Sequence, residues 1–99
     1  MITEIAHLTI DIARAEDFEK AVASVAGAFQ TATGCHGMAL EREIEDPGRY
    51  RLIVQWDSVD AHMVDFRNSP AFQAWRNAAG PFFAAPPMVV HSETVGRFF

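Results

Sequence analysis

The chain has 99 residues, 49% of them apolar, which makes one folded domain and excludes a disordered segment. Eight Lys and Arg against 13 Asp and Glu leave a net charge of −5 with no basic run, so nucleic acid and anionic membrane are poor partners. The one cysteine, Cys35, rules out an internal disulfide and suits a reducing cytoplasm.

The opening stretch, MITEIAHLTIDI, has neither the basic start nor the apolar centre of a signal peptide. No apolar run approaches the roughly 18 residues that span a bilayer. From Ile2 to Ile12 the residues alternate, which predicts a strand. Ala6, Leu8, Ile10 and Ile12 form one face; Ile5, His7, Thr9 and Asp11 form the other. A helix follows, because Phe18, Ala21, Val22, Val25 and Phe29 fall on one stripe. Glu16, Asp17 and Glu19 sit where the positive end of its dipole favours them. Gly27 costs about 1 kcal/mol against Ala inside that helix, which predicts a close contact there. The helix is expected to fray near Thr31 and end by Gly34.

After the turn at Thr33–Gly37, the segment from Gly37 to Ile44 alternates again, with Met38, Leu40, Arg42 and Ile44 on one side. Glu45-Asp46-Pro47-Gly48 is a turn signal, so a hairpin leads into the next strand. There Tyr50, Leu52, Val54 and Trp56 alternate with Arg51, Ile53 and Gln55. Ser58 can cap a short helix whose stripe is Val59, His62, Met63 and Phe66. Ser69-Pro70 opens a second, with Phe72, Trp75, Arg76, Ala79 and Phe83 on its stripe. Gly80-Pro81 stops that helix, Pro86-Pro87 marks a loop, and Met88 to Val95 reads as a last strand.

The order strand, helix, strand, strand, helix pair, strand predicts an α+β domain. It is the ferredoxin-like arrangement, a four-stranded antiparallel sheet with its helices on one face. The uncovered face is expected to gather His7, Thr9, Asp11, Glu41, Glu43, Arg51, Gln55, His91 and Glu93, mixed with Ile5, Ile53 and Val89. Such a face is either solvated or closed by the same face of a second copy. Phe98-Phe99 favours the second, since each ring is worth roughly 1.5–3 kcal/mol when buried.

Two residues break the apolar stripes. His62 places an ionisable ring on one, and Arg76 places a guanidinium on the other. One account is a core histidine with a satisfied ring and an arginine that reaches out from the stripe edge. The other is a pocket between sheet and helices lined by Trp56, His62, Trp75 and Arg76, with Phe72, Phe66, Leu52 and Val54 contacting a substrate. Metal is not expected, because Cys35, His36, His62 and His91 show no ligand spacing. No phosphate loop, nucleotide fingerprint or triad motif is present.

These residues carry a family likeness. E-x-E-D-P-G-R-Y at the hairpin, W-D-S-x-D-A-H after the third strand and S-P-A-F-x-x-W at the second helix resemble the antibiotic biosynthesis monooxygenase family. The resemblance implies a homodimer whose sheets form a dimeric α+β barrel, with a pocket in each subunit. It implies oxygenation of an electron-rich anthrone, phenol or quinol by O₂ without metal, flavin or other cofactor. In that reading His62 is the general base, Arg76 holds the substrate anion and Trp56 is a stacking wall. The positions matching the heme-degrading branch are Asp65 and Arg76, which do not suit heme, and the only tyrosine, Tyr50, lies in a strand. The same fold also carries stress-response or ligand-binding proteins and non-oxidative isomerases or cyclases, which stand as alternatives.

Overall fold

The computed structural model describes residues 1–99. Strands β1 (Ile2–Thr9), β2 (Cys35–Arg42), β3 (Arg49–Trp56) and β4 (Met88–Ser92) form one sheet in the order β2-β3-β1-β4, and every neighbouring pair is antiparallel. Helix α1 (Ala15–Gln30) crosses from β1 to β2, and α2 (Pro70–Ala79) crosses from β3 to β4. This is the expected ferredoxin-like α+β fold. No helix is long and apolar enough to cross a membrane.

The sheet's covered face is set by register. Leu8 lies opposite Tyr50, Ala6 opposite Leu52, and Ile2 opposite Trp56. Tyr50, Leu52, Val54 and Trp56 are all buried, as their period-2 spacing predicts. From α1, Phe18, Val22 and Phe29 reach the same core. Phe29 packs on Phe66 and on Trp75, with ring centroids 4.8 and 5.5 Å apart, and so joins α1 to both elements after β3.

Several boundaries and faces differ from expectation. β1 stops at Thr9, and Ile10 makes only a bridge to Phe83. Asp11 accepts a hydrogen bond from the Ala13 backbone N–H and starts a 3₁₀ turn, which carries Ile12 out to solvent. Gly27 faces open space, so no close contact explains it. Gly34 ends the turn after α1 at φ +82°, a conformation that favours glycine, with Ala61 packed against it. The first short helix is a wide π-helical turn, Ala61–Phe66, closed by the Arg67 N–H on the His62 carbonyl. Ser58 accepts from the Ala61 N–H and caps it. Val59, expected on its stripe, is exposed. β4 ends at Ser92 rather than Val95, which leaves Glu93 outside the sheet. Its phase is the reverse of that expected: Val89 and His91 pair with Ala6 and Glu4 and face the helices. A five-residue strand with Val at two adjacent positions gives alternation little to fix.

Candidate active site

A cavity of about 510 Å³ lies between the sheet and α2, over the β1–β4 side. β1 supplies Glu4, Ala6 and Leu8, β4 supplies Val89, and α2 supplies Phe72, Trp75 and Arg76. Phe83, Pro81 and Pro87 close it from the connection to β4, while His62 and Arg67 come from the π-helical turn. Apolar and aromatic walls around a few polar groups are the usual make-up of a small-molecule site.

The polar centre is a set of four side chains. Glu4 is only 5% exposed although it is a carboxylate. Pairing of β1 with β3 sets Trp56 one pleat from Glu4 on the same face, and the Trp56 Nε1–H donates to Glu4 Oε1 at 2.9 Å. His62 Nε2 lies 3.3 Å from the same Oε1. His62 Nδ1 lies 2.9 Å from Nε2 of His91, the residue directly opposite Glu4 across β1–β4. The His62 ring also stacks on the Trp56 indole, with centroids 5.3 Å apart and planes 17° apart.

Burial dominates the electrostatics. Loss of water raises the Glu4 carboxyl above its ordinary value, against the Trp56 hydrogen bond and the Arg67 charge, which both pull it down. The His62 imidazole is pushed down to about 4, first by burial and then by the charges of His91 and Arg67. At neutral pH His62 is therefore an uncharged ring. Arg67 and Arg76 are exposed at the cavity rim and form no ion pair with any carboxylate. Their guanidinium carbons lie 5.8 and 6.0 Å from the centre of the same Phe72 ring. No three His, Cys, Asp or Glu side chains gather as a group that could hold a metal ion.

The structure thus brings His62, Arg76, Trp75 and Phe72 to one cavity. It does not bring Trp56, Phe66, Leu52 or Val54 to its surface. Trp56 is fully buried behind His62 and serves as that ring's backing instead of a wall. Leu52 and Val54 belong to β3, whose inner face is core, and Phe66 is locked between Phe29 and Trp56. This cavity sits over β1 and β4; a second one, about 570 Å³, lies over β2 beneath α1, lined by Val22, Ala26, Met38 and Leu40 among others, and holds none of the expected site residues.

Three residues of the site escaped the sequence reading. Glu4 shares the phase of Ala6, Leu8 and Ile10, so a carboxylate on an apolar face was the signal that could have found it. His91 was hidden by the ambiguous phase of β4. Arg67 had no signal, since a cation at the end of a short helix is ordinary.

A ferredoxin-like domain with a ligand-sized cavity and a buried carboxylate–imidazole couple defines the class. Within it, the chain belongs to the antibiotic biosynthesis monooxygenase family, whose sequence model matches residues 1–78. The crystal structure of an antibiotic biosynthesis monooxygenase homologue from Bordetella bronchiseptica superposes with a TM-score of 0.92 at 51% identity, over 95% of this chain and 96% of that one. The Bacillus subtilis protein YczJ, itself uncharacterised, is 28% identical over 95 residues, 96% of this chain and all of YczJ. The Streptomyces coelicolor monooxygenase ActVA-Orf6, solved with nanaomycin D, shares the fold with a TM-score of 0.84 at 19% identity, over 99% of this chain and 90% of that one. SnoaB, a cofactor-independent oxygenase from Streptomyces nogalater, shares it at 0.78 and 23% identity, over 97% and 94%.

Proposed function

We propose that this protein is a cofactor-independent monooxygenase, acting as a cytoplasmic homodimer on an electron-rich aromatic of the anthrone, phenol or quinol type. The observation that carries this reading is the cavity between Phe72, Trp75 and Phe83, with an ionisable couple, Glu4 and His62, at its floor. A substrate of this class becomes a strong electron donor once it loses a proton, and its anion can reduce O₂ without metal or flavin. The protein then has to supply a base, a stabiliser for the anion and a space that excludes water. Arg76 at the rim makes no ion pair and is free to face that anion, while Trp75 and Phe72 offer flat contacts to the ring.

The dimer reading is supported by the uncovered sheet face. Ala39, Ile53, Ile5 and Val90 lie in register across all four strands and make a continuous apolar band. A second copy of the same face would cover it.

Oxygen uptake by the metal-free protein with a panel of anthrones and hydroquinones tests the activity. One O₂ consumed per substrate, with incorporation of one labelled oxygen atom, is expected. No uptake with any member removes the oxygenase reading, and product formed equally under argon replaces it with a non-oxidative isomerase or cyclase.

A further inference from the structure

We infer that Glu4, and not His62, is the group that takes the substrate's proton, and that His62 and His91 are positioning residues behind it. This rests on the cavity being the substrate site, as proposed above. A general base must offer a free lone pair to the proton it removes. Nδ1 of His62 is hydrogen-bonded to His91 Nε2 at 2.9 Å, and Nε2 stands against Glu4 Oε1, 3.3 Å away. Neither ring nitrogen is clear of a protein neighbour.

The carboxylate is arranged the other way. Trp56 Nε1 and His62 Nε2 both converge on Oε1. Oε2 has no hydrogen bond from the chain, yet no buried side-chain oxygen is left without a partner. Oε2 is therefore the oxygen that opens onto the cavity Glu4 lines. An ionised carboxylate can only accept, so His62 carries its proton on Nε2, and its Nδ1 accepts from the His91 Nε2–H. The three donors form an ordered set, His91 to His62 to Glu4 and Trp56 to Glu4, that fixes one oxygen and leaves the other free.

For an anthrone-type CH₂ the proton accounting closes on Glu4 alone. Oε2 takes one C–H proton, and the electron pair stays on carbon. The carbanion and O₂ combine, by electron transfer and radical coupling, into a peroxide anion, which recovers the proton from Glu4 as C–O–O–H. Glu4 then removes the second C–H proton while the O–O bond breaks. The hydroxide released takes that proton and leaves as water. The sum is CH₂ plus O₂ giving C=O plus H₂O, and Glu4 ends ionised as it began.

The test separates proton abstraction from oxygenation. Deuterium exchange into the CH₂ of anthrone, followed by NMR under argon, reads the base without O₂. The wild-type protein should accelerate exchange, and Glu4→Gln should lose a factor of roughly 10²–10⁴ of that acceleration. His62→Gln should lose less, and should move the acidic limb of the exchange–pH profile, because Glu4 loses a donor while Trp56, Arg67 and His91 still face it. His91→Gln should act in the same direction more weakly. Glu4→Asp keeps a carboxylate set back by one methylene, so it should be slower yet keep an acidic limb, which serves where Glu4→Gln folds poorly. Nitrogen-15 NMR of the wild type should show neutral His62 protonated on Nε2 at pH 7. Exchange without oxygen uptake upholds Glu4 as the base while the oxygenase reading falls. Exchange retained in Glu4→Gln but abolished in His62→Gln, or no acceleration by the wild type, overturns the inference.

Discussion

The indole of Trp56 lies nearly parallel to the imidazole of His62 while its own N–H is spent on Glu4. One side chain therefore backs the ring and anchors the carboxylate at once. Trp56→Phe keeps an aromatic backing but removes the only donor that holds Glu4 at normal hydrogen-bond length. Such a change at a fully buried site should cost about 1–3 kcal/mol in urea unfolding, and the Glu4 carboxyl should rise further in a carbon-13 titration, since the lost bond was lowering it.

Acid should destabilise the protein through His62. The unfolded ring titrates near 6.5 and the folded ring near 4, so below about 6.5 the unfolded state binds the extra proton. Stability contributed by the neutral ring is present above about pH 6.5 and is lost as pH falls towards 4, by on the order of 3 kcal/mol in all. Glu4 works in the opposite sense, because its raised folded value favours the protonated native state in acid. The comparison is therefore Glu4→Gln against Glu4→Gln/His62→Gln, unfolded in urea at pH 7.5 and 5. The stability gap between the two should narrow at the lower pH.

Arg76 is exposed and makes no ion pair, so Arg76→Ala should leave thermal unfolding within about 0.5 kcal/mol of the wild type. Its effect should be on KM for a phenolate or other anionic substrate, by about tenfold. A large loss of stability with unchanged KM would place Arg76 in the scaffold.

Two glycines of the α1 region should respond oppositely. A Cβ on Gly27 meets nothing within 4 Å, so Gly27→Ala should stabilise by about 0.5–1 kcal/mol through helix propensity. A Cβ on Gly34 would stand 3.1 Å from Ala61 Cβ at a φ of +82°, so Gly34→Ala should destabilise by more than 1 kcal/mol. Thermal melts of the two variants check both signs.

The dimer has a direct probe in the band on the open sheet face. Ile53 sits at its centre, opposite Ala39 on one side and Ile5 on the other. Ile53→Glu should produce a monomer in sedimentation velocity at micromolar concentration, with the sheet still folded.

The core of this fold was legible because long alternating strands bury one face, and Tyr50, Leu52, Val54 and Trp56 admit a single phase. The site was legible only in part. His62 and Arg76 announce themselves as polar interruptions of helical stripes. Glu4 does so as well, but only to a reading that extends the strand's apolar phase back past Ala6. Which side of the sheet would hold the cavity with the polar floor was not readable, since it depends on how far α2 stands from β1 and β4. Phe29 stacks on both Phe66 and Trp75 beside it, and such three-body packing leaves no trace in periodicity. The π-helical turn was equally hidden, as a wide turn and a narrow one carry the same short stripe.

β4 spans five residues and is bonded along one side only, to β1. It is also the strand that brings Val89 to the cavity and His91 to His62. The floor of the chamber is therefore made partly from the shorter of the sheet's two edge strands. A molecule lodged against Val89 has to hold that edge shut, so occupancy should be visible as slowed exchange at Val89, Val90 and His91 even with a compound that never reacts.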